Sequence, residues 1–314
     1  MLKNPWFLFS MTVFLFLGSC VYMMSSSLKH MQPPGEMQVS EDSILHLDID
    51  GVILDGKEIL ADLRKYAYDK KIKGVILRLN SPGGVVGPSQ EIYSEIKRIR
   101  EELEKPVFVS ANAIMASGGY YIAVGADKIY VNAGTLMGSI GVIMEFANLS
   151  ELYDWAKIQR YSLKTGKFKD TGTNTRAMTQ TEKDYLQDVI DDVHQQFMLA
   201  VADGRNKQMR DIEPLADGRI FTGSKGVEYG LVDKVATYKE ALDEMGELTG
   251  LGKNPPVFNP KMPKEFLLEV LGRTQLFNLG NLPAKVEQVL PTKLLGQPLY
   301  LYPAYLGVVF EQAR

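Results

Sequence analysis

A single serine interrupts an apolar run near the middle of the chain. The stretch ANAIMASGGYYIAV, residues 111–124, is mostly apolar except around Ser117, which is followed by Gly118 and Gly119. A serine, two glycines and then YYIAV are typical of the start of a helix, where the helix dipole places partial positive charge beside the hydroxyl. Ser117 is therefore a candidate nucleophile, although an ordinary helix start could carry the same residues.

A second stretch could supply the groups that stabilise an oxyanion. LNSPGG, residues 79–84, places Pro-Gly-Gly directly after a β-rich run. Glycines allow a ligand to approach the main chain closely, and backbone N–H groups that are not paired in a sheet suit an oxyanion hole. A simple turn would also account for this stretch when it is considered alone.

The base that would activate Ser117 is less evident. The three histidines lie in a polar linker, inside a strand-like run and within a helical pattern: His30, His46 and His194. None has a setting typical of a catalytic base, so lysine is the other candidate. A free lysine has a pKa of about 10.4, and burial in an apolar site lowers it. LKTGKFKD offers Lys164, Lys167 and Lys169, and their spacing does not choose among them or exclude a solvated surface.

A competing site lies near the start of the folded region. HLDIDGVILD places Asp48 and Asp50 at the end of a β-rich run, which resembles the opening motif of haloacid-dehalogenase-type phosphatases, with Ser81 as a possible second motif. Such an enzyme also needs a lysine and an acidic pair at a later strand end to hold Mg²⁺. The pair Asp191-Asp192 falls inside a helical pattern, so exposed carboxylates at a sheet edge are the favoured interpretation.

The elements that must position these residues alternate along the chain. Short β-rich runs occur at 43–49, 74–80, 106–112 and 128–133, and helical patterns at 57–71, 88–105 and 179–202. This alternation predicts an α/β fold, layered around a mostly parallel sheet. From residue 250 onward prolines punctuate the chain, which suggests an extended arm. Its end, PLYLYPAYLGVVF, is apolar enough to need a packing partner.

The N-terminus predicts attachment to a membrane. Residues 6–24 are mostly apolar and uncharged, and as a helix they would measure roughly 28 Å, close to the thickness of a bilayer core. We expect a signal anchor that leaves Lys3 inside and the rest of the chain outside. The alternative is a cleaved signal peptide, in which LGSC would be a lipobox and Cys20 the lipidated residue.

Composition limits the other possibilities. The formal net charge is −3 and no long block of lysine or arginine is present, which argues against nucleic acid as a partner. Cys20 is the only cysteine, so no disulfide can form within the chain.

Five motifs taken in order resemble those of the signal peptide peptidase A family. They are LRLNSPGG, MASGGYYIA, DKIYVNAGTLMGSIGVI, KTGKFKDTGTNTRAMTQTEKDYL and ADGRIFTGSKGVEYGLVDKV, and the resemblance as a whole covers roughly residues 42–245. The resemblance implies a membrane-anchored Ser-Lys peptidase with the ClpP/crotonase-like fold. It implies Ser117 as nucleophile, Lys169 as general base, Gly84 and Gly118 as oxyanion-hole donors, and Ser139 as the residue that orients the base.

The resemblance also implies partners and a location. The substrates would be remnant signal peptides or other apolar, extended segments, bound in an apolar groove lined partly by SIGVIMEF, and no metal or cofactor is called for. The chain would form a homo-oligomer in which the lysine reaches the serine of a neighbouring protomer. The catalytic domain would lie on the extracytoplasmic side of a bacterial cell membrane, in contact with lipid.

These features predict four parts of the chain: an anchor at 1–28, a linker at 29–42, the peptidase domain at 43–249 and the arm at 250–314. Two further alternatives remain open beside the phosphatase: an acyl-CoA enzyme of the crotonase type, and a catalytically silent scaffold that binds a membrane partner.

Overall fold

The computed structural model describes residues 38–260 and the backbone of a strand at 299–301. The chain divides into two compact units, Met1–Ser40 and Glu41–Arg314, and the second one carries every candidate site residue. The predicted signal anchor and Cys20 lie outside the described residues. Within the described ranges, no helix is both long enough and apolar enough to cross a bilayer.

Strands and helices alternate through the second unit. The strands are β1 (Ser43–Asp50), β2 (Ile72–Ser81), β3 (Gly83–Val85), β4 (Val107–Ala116), β5 (Lys128–Val131), β6 (Leu136–Gly138), β7 (Ile220–Thr222), β8 (Lys234–Val235), β9 (Val257–Phe258) and β10 (Leu299–Leu301). The helices are α1 (Lys57–Tyr66), α2 (Val86–Glu102), α3 (Gly118–Ala123), α4 (Ser150–Trp155), α5 (Gln180–Gly204), α6 (Met209–Ile212), α7 (Gly223–Glu228) and α8 (Tyr238–Leu248).

The main sheet is mostly parallel, and β4 lies at its centre. Strands β9, β1, β2 and β4 follow one another in parallel. Beyond β4 the sheet divides, because Phe108–Ser110 pair with β5 whereas Ile114–Ala116 pair with β6, which in turn pairs antiparallel with β7. This second neighbour carries β4 to Ala116, beyond the predicted end near residue 112, so Ser117 directly follows a strand. The predicted α/β fold with a mostly parallel sheet is confirmed.

Helices cover the sheet on both faces. Helix α8 packs its Met245 and Ala241 against Ile44, Ile76 and Phe108 of three neighbouring strands. Helix α1 connects β1 to β2, and helix α2 lies between β2 and β4, so both connections cross the sheet from β1 towards β4. Helix α8 connects β8 to β9 and crosses the sheet in the opposite direction. Because crossovers between parallel strands are right-handed, α1 and α2 lie on the other face. Strand β9 lies within the segment predicted as the C-terminal arm and pairs with β1.

The long helix predicted at 179–202 runs from Gln180 to Gly204, and its start has a clear local cause. The Thr179 side chain accepts from the Glu182 N–H, and the Glu182 carboxylate accepts from the Thr179 N–H. This reciprocal capping box satisfies two of the donors that a helix start leaves unpaired.

Candidate functional site

Ser117 lies at the sharp turn between β4 and α3. Its φ is +50°, in the left-handed region that non-glycine residues rarely adopt, and its N–H donates to the Gly138 carbonyl at 2.8 Å. The residue is only 1% exposed, and within the described ranges its Oγ has no hydrogen-bond partner. A strained backbone that presents an unpaired buried hydroxyl is the arrangement expected of a nucleophile rather than of a structural serine.

The two glycines after Ser117 begin helix α3. Gly118 is its first residue, so its N–H has no acceptor in a preceding helical turn. A Cβ on Gly119 would lie 3.0 Å from the carbonyl oxygen of Ser81, which shows how closely the helix start approaches the end of β2. Gly119 therefore serves close packing, and the Gly118 N–H, beside Ser117, has no hydrogen-bond acceptor among the described residues.

The edge of β3 carries the second candidate donor, the N–H of Gly84. The Ile53 N–H donates to the Gly83 carbonyl at 2.9 Å, and the Val85 N–H donates to the Ile53 carbonyl at 2.8 Å. Because backbone groups alternate along a strand, the N–H and C=O of Gly84 point to the opposite edge. A Cβ on Gly84 would lie 2.0 Å from the Ile53 carbonyl oxygen, so only glycine fits here.

The edge that Gly84 presents is paired with another segment of the same chain. Strand β10 runs antiparallel to β3, with Tyr300 opposite Gly84 and Leu299 opposite Val85. The backbone of β10 also comes within 8 Å, from Cα to Cα, of helix α3. An extended peptide segment therefore fits beside Gly84 and the start of α3.

Ser139 lies beside Ser117. It follows Gly138, whose carbonyl accepts from the Ser117 N–H, and its own N–H donates to the Arg219 carbonyl at 2.8 Å. Like Ser117, it is buried and has a positive φ, here +51°. The structure thus brings Ser117, Gly118, Ser139 and Gly84 together where the main strands end, the edge at which ligands of open parallel sheets bind.

Within the described part of one chain, no hydrogen bond links Lys169 to the Ser117 hydroxyl. It lies in the irregular segment 156–179 and is exposed. Its two neighbouring candidates are engaged: the Lys164 ammonium pairs with Asp170, and the Lys167 ammonium lies 5.1 Å from the centre of the Phe168 ring. For the Lys169 ammonium no ion pair or hydrogen bond is found among the described residues. Among the described residues, Lys169 therefore differs from Lys164 and Lys167 in having neither a charged partner nor a ring contact for its ammonium.

An arginine that the sequence analysis did not single out holds this segment. Arg176 contacts both Asp170 and Glu182, at 3.0 Å and 2.6 Å. Arg176 and the Thr179 N–H together hold the pKa of the Glu182 carboxyl well below its usual range. The sequence signal for this cluster is the T-x-x-E pattern at 179–182, which marks a capped helix start.

Asp48 and Asp50, the carboxylates of the alternative phosphatase site, lie at the end of β1. Asp48 lies 3.1 Å from Nε2 of His46, whose Nδ1 is hydrogen-bonded to the hydroxyl of Tyr238. Asp50, at the end of β1, is exposed. His46 therefore links β1 to helix α8, on the sheet face that α8 covers.

Comparison with known proteins gives the family. The sequence profile of peptidase family S49 matches residues 100–252. A Synechocystis sp. protein provisionally named as a protease is 36% identical over 82% of this chain and 95% of its own length. An Enterococcus faecium protein provisionally named as signal peptide peptidase SppA is 35% identical over 67% of this chain and 64% of its own. The chloroplastic serine protease SPPA of Arabidopsis thaliana is 30% identical over 62% of this chain and 29% of its own. This chain belongs to peptidase family S49.

Proposed function

We propose that this protein is a serine endopeptidase that cleaves extended apolar peptides, including remnant signal peptides, with Ser117 as the nucleophile. The observation that carries the proposal is the buried hydroxyl of Ser117, which has no hydrogen-bond partner in the described part of the chain and lies next to the Gly84 edge. The relatives named as serine protease and as signal peptide peptidase support the same activity. We also propose that the α/β fold is of the ClpP/crotonase-like type; its mostly parallel sheet of βαβ units supports this.

We propose that substrate binds by adding a strand to β3. The pairing of β10 with β3 supports this, because a main chain in extended conformation already follows that edge with Tyr300 opposite Gly84. In this mode main-chain hydrogen bonds supply affinity, and pockets for alternate side chains supply specificity. A substrate that takes this edge must displace β10, so the chain's own segment competes with it.

The chemistry then follows from the positions of the donors and of the base. Neutral Lys169 takes the proton of the Ser117 hydroxyl as its Oγ attacks the peptide carbonyl. The N–H groups of Gly84 and Gly118 stabilise the oxyanion, and Ser139 orients the lysine. The C–N bond breaks as the Lys169 ammonium passes this proton to the leaving amine, which leaves an acyl-enzyme and a neutral lysine. Lys169 then takes a proton from water as the water oxygen attacks the ester carbonyl. It returns this proton to the Ser117 oxygen as the ester C–O bond breaks, which releases the acid and restores Ser117.

We propose that the dyad forms between two copies of the chain. Within the described part of one chain, Ser117 Oγ has no partner and Lys169 is exposed, so a second copy can supply the lysine. The segment around Lys169 also exposes large apolar side chains, with Trp155 at 83% and Leu163 at 96%. Such surface is expected to be covered by a partner. A homo-oligomer satisfies both requirements.

We further propose that the enzyme works at a membrane. The uncharged stretch at 6–24 would anchor it, or Cys20 would carry a lipid, with the catalytic domain on the extracytoplasmic side. Apolar peptides left in or near the bilayer would then reach the Gly84 edge. In this arrangement residues 43–249 form the peptidase domain and residues 250–314 the C-terminal arm.

The test uses the full chain in detergent and a fluorogenic apolar peptide. Ser117→Ala and Lys169→Ala are expected to lower kcat by at least about 1,000-fold, since the two groups act as one unit. Lys167→Ala, a neighbouring lysine on a ring face, is the matched control and should stay within about threefold of the parent. Activity that survives Ser117→Ala would end the proposal. A folded, oligomeric parent without activity would favour the scaffold.

A further inference from the structure

The segment that carries Lys169 has little regular structure to fix it. Residues 156–179 form neither helix nor strand, and most of those before Asp170 are exposed. Stacking of Phe168 on Tyr185, at 4.9 Å between ring centres, is one apolar contact near the base. A general base must be held to within a fraction of an ångström, and an exposed irregular segment is costly to order. Another interaction must therefore help to hold Lys169.

Arg176 provides a bridge from the base to the longest helix. Its Nη2 lies 3.0 Å from Oδ1 of Asp170, the residue directly after Lys169. Its Nη1 and Nη2 also donate to the two carboxylate oxygens of Glu182, at 2.8 Å and 2.6 Å. Glu182 is only 4% exposed and caps α5, so it is itself fixed. A two-pronged arginine–carboxylate contact of this kind restricts geometry as well as adding energy.

The same cluster controls the charge beside the base. An unpaired carboxylate at Asp170 would favour the protonated form of Lys169 and so oppose its role. Asp170 is instead engaged by Lys164 and Arg176, which hold the pKa of its carboxyl below the usual range. The other charged or titratable groups nearby are Lys167 on the same segment, and Glu182 and Tyr185 on helix α5.

We infer that Arg176 is a positioning residue for the general base. By bridging Asp170 and Glu182, it fixes the position of Lys169 relative to Ser117. The inference rests on the proposed Ser117–Lys169 dyad. It does not require Arg176 to touch the substrate.

The test compares Arg176→Gln and Arg176→Lys with the parent, in the full chain, over a range of pH. Arg176→Gln should lower kcat about 10- to 100-fold at pH 7, the usual effect of losing a group that orients a catalytic side chain, with KM within about twofold. It removes a cation and releases the Asp170 carboxylate, and both changes favour the protonated form of the neighbouring amine. Because the neutral amine is the active form, the acid limb of kcat/KM moves to higher pH and part of the loss is regained there. Arg176→Lys keeps the positive charge but lacks the planar group that contacts two carboxylate oxygens at once. Its kcat should therefore lie between those of Arg176→Gln and the parent.

Arg98→Gln is the matched control, since Arg98 makes a similar contact with a buried carboxylate, 2.6 Å from Glu95, on helix α2. Equal losses in Arg98→Gln and Arg176→Gln, or a parental pH profile in Arg176→Gln, would overturn the inference. Asp170→Asn adds a second check: combined with Arg176→Gln it should cost little more than either change alone, because both break one contact. Effects that multiply would contradict the bridge. If Lys169→Ala did not lower activity, the proposed Ser117–Lys169 dyad itself would be contradicted.

Discussion

Gly84→Ala is the substitution that tests the proposed oxyanion hole most sharply. A Cβ at this position would lie 2.0 Å from the Ile53 carbonyl oxygen and 2.6 Å from the Ile53 backbone nitrogen. Non-bonded atoms settle at about 3.5 Å, so the two backbones must separate by more than about 1 Å. That movement carries the Gly84 N–H away from the carbonyl that Ser117 attacks.

The expected effect can be given a size. Loss of one oxyanion donor costs about 100- to 1,000-fold in kcat, equivalent to about 2.7–4 kcal/mol of transition-state stabilisation. Forcing an extra methyl group into a packed site costs about 1–3 kcal/mol of folding stability. Activity is therefore measured on the fluorogenic peptide well below the unfolding temperature, and thermal unfolding is followed on the same sample.

Gly87→Ala is the control for this experiment. Gly87 lies in helix α2, three residues along the chain, and a Cβ there would meet nothing within 4 Å. Its activity should match that of the parent, and its stability should hold or rise slightly. If Gly84→Ala kept kcat within about threefold of Gly87→Ala while remaining folded, the N–H of Gly84 would not be an oxyanion donor.

Three further predictions follow from the same structure. Tyr300→Pro removes an N–H from β10 opposite Gly84, so kcat/KM for short peptides should rise; an unchanged value would show that β10 does not compete with substrate. The folded pKa of Glu182 lies below its unfolded value, so its contribution to stability is present above about pH 4.5 and is lost as the pH falls. The free energy of unfolding of Glu182→Gln should therefore fall less on acidification than that of the parent. An identical pH dependence in the two proteins would count against this. Tyr120→Phe leaves the buried Leu231 carbonyl without the hydroxyl 2.7 Å away, and should cost about 1–3 kcal/mol in urea denaturation; a parental midpoint would contradict that bond.

Local patterns in the sequence are sufficient to predict the α/β layers, and they single out Ser117 as the candidate nucleophile. The helix at 179–202 and the first strands follow from periodicity alone, because each buries one face. Ser117 stands out because a serine and two glycines interrupt an apolar run. The extension of β4 to Ala116 could not be foreseen, since it depends on pairing with β6, which lies some twenty residues further on.

The rest of the site depends on contacts between distant parts of the chain. The need for glycine at position 84 comes from Ile53, and the occupied edge comes from residues 299–301, more than two hundred positions away. Neither leaves a periodic signal. The spacing of the three lysines does not choose among them, and the assignment of Lys169 as the base stays a prediction from the family resemblance; the structure adds that Lys164 pairs with Asp170.

The central claim is that Ser117 of one chain works with Lys169 of another, and mixed assemblies test it directly. Full-length Ser117→Ala and Lys169→Ala chains are each inactive alone and are then co-expressed in equal amounts. If the dyad forms between copies, random mixing in a closed ring gives an intact pair at about one contact in four, and roughly a quarter of the parental activity returns. A mixture of confirmed hetero-oligomers that stays as inactive as either variant alone would contradict the shared site.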